Sequence, residues 1–128
     1  MLSKFQIDVR VRYQETDAQG RVHHANYITY FELARTEMLR AGGFSYKRME
    51  DEGLLLVVHE VECRYHLPAE FDDLLAVTVT VRRAKGARIE LGYEIRREDE
   101  LVAEGRTLLA CITREGKPTR LPPLLLLD

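Results

Sequence analysis

Asn26-Tyr27-Ile28-Thr29-Tyr30-Phe31-Glu32-Leu33-Ala34-Arg35-Thr36-Glu37-Met38-Leu39-Arg40-Ala41 is the stretch on which the fold turns. Tyr27, Phe31, Ala34 and Met38 recur at the spacing of one helix face, and Ile28, Tyr30, Leu33 and Leu39 widen that face into a broad apolar stripe. The spacing predicts a helix about 24 Å long at 1.5 Å per residue. Gly42-Gly43 follows and suits a left-handed helix terminus. Only Thr29, Glu32, Thr36 and Arg40 form a polar strip, so the helix is expected to be enclosed over most of its circumference.

The flanking sequence reads as the enclosing sheet. Upstream, Phe5, Ile7, Val9, Val11 and Tyr13 alternate with polar residues, so Lys4 to Tyr13 is a strand with one buried face, and the turn formers of Gln14 to Gly20 take the chain off it. Downstream, Ser45 to Glu52 fits a short helix. Alternation then marks strands on Val57, His59, Val61, Cys63 and Tyr65, on Val77, Val79 and Val81, and on Ile89, Leu91, Tyr93 and Ile95. A last strand from Leu101 to Arg114 is apolar or small on both sides, as an interior position requires. Turns at Ala84 to Ala87 and Arg97 to Glu100 are of hairpin length, so these strands are antiparallel neighbours. The order is α+β: an antiparallel five-stranded sheet wrapped around a long central helix, in one domain over residues 1–128. Pro122-Pro123 and four leucines end the chain as an extended tail that caps a groove or frays.

Composition narrows the function classes. A chain of 128 residues fits one domain with its own core. Nineteen basic against 21 acidic residues give a formal net charge of −2, which argues against a nucleic-acid partner. Cys63 and Cys111 stand far apart without a metal-ligand or disulfide pattern and read as core thiols of a reducing compartment, the cytoplasm. No signal-peptide core or bilayer-spanning apolar run stands out, so membrane insertion is not expected.

Chemistry concentrates between the first strand and the long helix. Tyr13, Asp17 and His24 all lie there. Asp17 in a Gly-ended loop is by itself a turn-forming residue. Beside a helix N-terminus it gains a second reading, because a carboxylate there attacks an acyl carbon or deprotonates water while free N–H groups and the helix dipole stabilise an oxyanion. Tyr13 also reads as a core residue with a satisfied hydroxyl, and Tyr27, Tyr30 and Phe31 as core aromatics. The adjacent His23 and His24 lack partners at ligand spacing, so no metal site is expected.

Val11-Arg12-Tyr13-Gln14-Glu15-Thr16-Asp17-Ala18-Gln19-Gly20-Arg21-Val22-His23-His24-Ala25-Asn26-Tyr27, continuing to Phe31-Glu32-Leu33-Ala34-Arg35, closely resembles the hotdog-fold acyl-CoA thioesterases of the 4-hydroxybenzoyl-CoA thioesterase superfamily, in particular the Tol-Pal-associated bacterial branch. Tyr65-His66-Leu67-Pro68-Ala69, with the acidic residues that follow, matches a second family pattern.

The resemblance implies a hydrolase that splits an acyl-CoA into free acid and coenzyme A, with no cofactor because the coenzyme A thioester is substrate. Asp17 takes the place of the catalytic carboxylate, as general base or as nucleophile, and Tyr13 and His24 orient or assist it. Asn26 and Tyr27 open the helix, with the oxyanion held by backbone N–H groups around His24, Ala25, Asn26 and Tyr27. Arg82, Arg83, Lys85 and Arg88, otherwise a solvated charged hairpin, become candidates for the coenzyme A phosphates. The family pairs edge to edge into a homo-oligomer, a dimer or a dimer of dimers (homotetramer), with the site at the junction. A non-catalytic acyl-CoA or acyl-carrier binding module and an enoyl-thioester hydratase are the alternatives on the same fold.

Overall fold

In the computed structural model, which describes residues 1–127, the apolar stretch forms helix α1 (Ala25–Ala41). Its end is a Schellman motif: Phe44 N–H donates to Leu39 O at 2.9 Å, Gly43 N–H to Arg40 O at 3.0 Å, and Gly43 takes φ 86°. A short helix α2 (Tyr46–Asp51) follows, capped by the Ser45 hydroxyl, which accepts Arg48 N–H.

The strands are β1 (Lys4–Arg10), β2 (Leu54–Tyr65), β3 (Leu74–Lys85), β4 (Arg88–Arg97) and β5 (Glu100–Thr113). They form one antiparallel sheet in the order β1-β3-β4-β5-β2. β5 lies inside the sheet, as its two-sided apolar character implies. Both hairpins turn more tightly than the sequence suggests, with only Gly86-Ala87 and Glu98-Asp99 outside the strands.

The sheet curls over one side of α1. Tyr27, Tyr30, Phe31, Ala34, Met38 and Leu39 are buried against Val77 and Val79 of β3, Leu91, Tyr93 and Ile95 of β4 and Leu109 of β5. Phe31 stacks on Tyr93 with ring centroids 4.3 Å apart. Enclosure is less complete than the sequence implies. A single sheet covers one flank only, and Leu33 joins Thr29, Glu32 and Arg40 on the open side.

Two readings of strand phase are corrected. β1 ends at Arg10, and Tyr13–Glu15 is a 3₁₀ turn, so the period of two stops before Tyr13. In β2 the register against β5 shifts between Val58 and Glu60. The bulge leaves His59 without a register partner and swaps the faces beyond it, so Leu54, Leu56 and Val58 share a face with Val61, Cys63 and Tyr65, not with Val57 and His59. β2 is an edge strand and mostly exposed. The tail is anchored: Leu125 is fully buried, and Leu127 exchanges backbone hydrogen bonds with Ala84.

Candidate active site

The loop between the 3₁₀ turn and α1 is a tight hairpin. A Thr16–Val22 bridge closes its neck, Asp17 N–H donates to Arg21 O at 2.9 Å, and Gly20 N–H returns to Asp17 O at 3.0 Å. Val22, buried, docks this hairpin on the rest of the chain through its N–H to Ala69 O at 2.8 Å. Asp17 Oδ1 accepts Gln19 N–H at 2.8 Å, so the turn-forming reading of Asp17 holds for one carboxylate oxygen. The other oxygen has no hydrogen-bond partner among the described residues. Asp17 is therefore held in orientation without being consumed by its turn.

A cavity of about 220 Å³ opens where this hairpin meets the start of α1. Asp17, Gln19, Arg21 and Val22 line it from the loop, His24 and Tyr27 from the helix start, and Tyr65, His66, Leu67 and Pro68 from the end of β2 and the segment after it. Asp17 and His24 thus converge as the sequence implies. Tyr13 does not: it is 73% exposed, stacks on Phe71 at a centroid separation of 3.7 Å, and is absent from the lining. The 3₁₀ turn rotates Tyr13 outward and brings Glu15 inward in its place.

Glu15 went unnoticed in the sequence and is the organising residue of the loop. Its carboxylate, almost fully buried, accepts Arg12 N–H at 2.8 Å, the Arg12 guanidinium at 3.0 and 3.2 Å, and the Tyr30 hydroxyl at 2.9 Å. Burial works to raise its pKa, but the Arg12 and Tyr30 hydrogen bonds and the Arg12 charge outweigh it and hold the carboxyl below its ordinary range. Its backbone oxygen accepts both His23 N–H at 2.8 Å and Asn26 Nδ2–H at 2.9 Å. One residue ties the loop to α1 by side chain and backbone together.

The N–H groups at the start of α1 are not equivalent. Asn26 N–H donates to His23 O at 2.9 Å and Tyr27 N–H to His24 O at 3.4 Å, bonds internal to the first turn. Ala25 N–H donates instead to His23 Nδ1 at 3.1 Å, an exposed and rotatable imidazole that must be unprotonated at that nitrogen to accept. Of Ala25, Asn26 and Tyr27, Ala25 alone has an N–H whose partner is free to leave. Asn26 contributes through its side chain to Glu15, and Tyr27 through its buried ring as cavity wall.

The basic residues of the β3–β4 hairpin separate. Arg83, Lys85 and Arg88 border one surface cavity of about 350 Å³. Arg82, left unpaired by the register shift between Val81 and Arg83, shares the outer sheet face with them but leans the other way along it, 3.8 Å from Glu90 and over Gly92. The hairpin also lies at the far end of the sheet from Asp17. Pro68, on the cavity wall, accepts Arg97 Nη1–H at 2.9 Å, and Arg97 pairs with Asp73 at 3.0 Å, beside the first residue of β3. The twelve residues of β3 lie between there and Lys85, about 36 Å at 3.3 Å per residue. Within one chain, Asp17 and the basic hairpin do not form one site.

Three comparisons bear on this arrangement. The chain is 36% identical over 120 residues to the acyl-CoA thioester hydrolase YbgC of Escherichia coli, covering 92% of this chain and 90% of that protein. It is 37% identical over 120 residues to the acyl-CoA thioesterase YbgC of Haemophilus influenzae, covering 92% and 88%. Among solved structures it superposes on the DHNA-CoA thioesterase of Staphylococcus aureus with a TM-score of 0.88 at 33% identity, covering 92% of this chain and 80% of that one. The thioesterase-like superfamily matches residues 11–127, and the chain belongs to it.

Proposed function

We propose that the protein is an acyl-CoA thioesterase in which the Asp17 carboxylate is the general base. The carrying observation is the placement of that carboxylate on the wall of a cavity at the start of α1, one oxygen fixed by Gln19 N–H and the other unengaged. The free oxygen takes a proton from water as the water oxygen adds to the thioester carbonyl. The oxyanion that develops is met by backbone N–H at the helix start, with Ala25 as donor once the His23 ring withdraws, and the helix dipole adds to the hydrogen bond. Collapse breaks the C–S bond, the proton held by Asp17 passes to the departing sulfur, and the products are the free acid and coenzyme A. Water is the only co-reactant in this scheme. His24 flanks Asp17 and shapes the cavity mouth.

The same reading extends to a homodimer. β2 is an edge strand of 12 residues with Val57, Val58 and Val61 exposed, an open row of hydrogen-bonding groups of the kind that recruits another strand. Antiparallel pairing of two β2 edges reverses the second sheet. The second copy's basic hairpin then lies at the same end as the first copy's Asp17, about 15 Å away across three strand spacings of 4.8 Å. That brings phosphate-binding Arg83, Lys85 and Arg88 within reach of an extended coenzyme A. A homotetramer would use a further face, for which the ion-paired outer side of the sheet is open. Two free thiols, Cys63 and Cys111, suit a reducing compartment, the cytoplasm; no helix of the described residues is long and apolar enough to cross a membrane.

The test is Asp17→Asn, with thiol release followed from short, long and aromatic acyl-CoAs. Loss of turnover by two orders of magnitude or more is the expected result. Wild-type turnover overturns the assignment, and acyl-CoA binding without thiol release by the wild-type protein identifies a binding module.

A further inference from the structure

Tyr65 is the last residue of β2, and its Cα lies opposite that of Ala103, a fully buried residue of β5. Its ring meets Tyr27 edge-on at a centroid distance of 5.3 Å and His24 at 6.4 Å. Its hydroxyl reaches across the chain to donate to the His24 carbonyl oxygen at 3.0 Å, a shorter contact than the 3.4 Å from Tyr27 N–H to the same oxygen. The side chain thus joins the sheet to the first carbonyl of the central helix.

That carbonyl belongs to the same planar unit as the Ala25 N–H. Rotation about the peptide C–N bond is blocked by a barrier of about 18–20 kcal/mol, so a hydrogen bond that orients the His24 oxygen also orients the Ala25 hydrogen, which lies in the same plane on the opposite side of that bond. The Ala25 N–H is the donor whose present partner, the His23 ring, is free to leave. We propose that Tyr65 is a positioning residue of the reaction: its hydroxyl holds the His24–Ala25 peptide plane so that the Ala25 N–H faces the oxyanion. This rests on the thioesterase reading above and names a residue which that reading does not use.

The hydroxyl is suited to the task. Partial burial, with the neighbouring Cys63 thiol adding to it, pushes the Tyr65 phenol up to about 12, so it remains a donor at any pH at which the protein works. The alternative role for Tyr65, packing alone, is served by the ring and is retained by phenylalanine.

Steady-state hydrolysis by wild type, Tyr65→Phe and Asp17→Asn on one acyl-CoA, with the thermal midpoint and solution mass of each, separates the possibilities. For Tyr65→Phe the expected result is a kcat lower by 10- to 100-fold, as for a misoriented catalytic group. KM stays within about twofold, and the midpoint and mass stay at the wild-type values. Wild-type kcat in Tyr65→Phe, with Asp17→Asn inactive, overturns this inference and leaves the thioesterase reading standing. A loss confined to KM, or one that tracks a fallen midpoint, also overturns it, because Tyr65 is then a substrate contact or a packing residue. Full activity of Asp17→Asn overturns the reading of the site and this inference with it.

Discussion

Glu15 accepts the Tyr30 hydroxyl at 2.9 Å across a fully buried junction, and this one contact fixes the distance between the Asp17 hairpin and the second turn of α1. The carboxylate is ionised in the fold and saturated by donors, which makes it costly to alter. A charge-assisted hydrogen bond is worth about 1.5–3 kcal/mol net, and a donor left unpaired in the interior costs a comparable amount.

Glu15→Gln is therefore expected to lower stability by about 1–3 kcal/mol at neutral pH, as measured by denaturant unfolding. The pH dependence has a definite sign. Glu15 has a folded pKa below its unfolded value of 4.5, so its contribution is complete above pH 4.5 and is lost as pH falls through the folded pKa. The stability gap between wild type and Glu15→Gln stays constant from neutral pH down to about 4.5 and narrows below it. A gap that widens on acidification refutes the ionised assignment. Tyr30→Phe removes one donor and leaves the carboxylate charged, so it costs less than Glu15→Gln.

Gly105 lies beneath the ring of Phe31, and the close approach leaves no room for a side chain. A Cβ placed there meets Phe31 Cε2 at 2.6 Å and crowds the Glu62 carbonyl oxygen of the paired edge strand. Neither neighbour yields easily, since Phe31 is stacked on Tyr93 and Glu62 O is backbone. Gly105→Ala is expected to lower the unfolding free energy by about 1–3 kcal/mol, the usual cost of overpacking. A neutral effect in chemical denaturation contradicts the tight α1–β5 packing.

How far the sequence is legible follows from how local each determinant is. The periods of α1, β1, β3 and β4 are local, and each reads out because one face of the element is buried. A one-residue change of phase carries no such signal, so the 3₁₀ turn that turns Tyr13 out and the bulge at His59 both escape periodicity. Asp17 alone reads as a turn residue, and it becomes a candidate only through its place before a helix N-terminus in a stretch that resembles a known family. Glu15 is not, because an acid among turn formers reads as solvated, and its burial is created by Tyr30 on the next element and by Arg12 folding back over it. Arg82 to Arg88 are neighbours in the chain, yet the antiparallel path of β1 and β3 sends their hairpin to the end of the sheet opposite Asp17. The strand order alone contains that separation, and it is the reason a second copy enters the reading of the site.

Charge reversal at the hairpin tests whether it meets coenzyme A. Lys85→Glu and Arg88→Glu are expected to raise KM for an acyl-CoA about tenfold each at low ionic strength, equivalent to about 1.4 kcal/mol, with kcat little changed. The effect should shrink as salt is added, because exposed charges are screened beyond about 10 Å at 0.1 M. It should vanish for an acyl-pantetheine, which lacks the nucleotide phosphates. An equal KM penalty on the acyl-pantetheine removes the hairpin from phosphate recognition.

The proposed dimer has a more direct consequence. Val58 and Val61 flank the β2 bulge, are 48% and 42% exposed, and lie on the edge that two copies would share. Placing a lysine on an edge strand opposes pairing, because the charge must be desolvated against its own symmetry mate. Val58→Lys and Val61→Lys together are expected to halve the solution mass in sedimentation velocity, with the fold retained because neither side chain is buried in the single chain. If the active site draws its phosphate contacts from the second copy, the monomer also shows the raised KM of the hairpin variants on acyl-CoA and a normal KM on acyl-pantetheine. A wild-type protein that is an active monomer at micromolar concentration, or a monomeric double variant with the wild-type KM for acyl-CoA, would falsify the shared site.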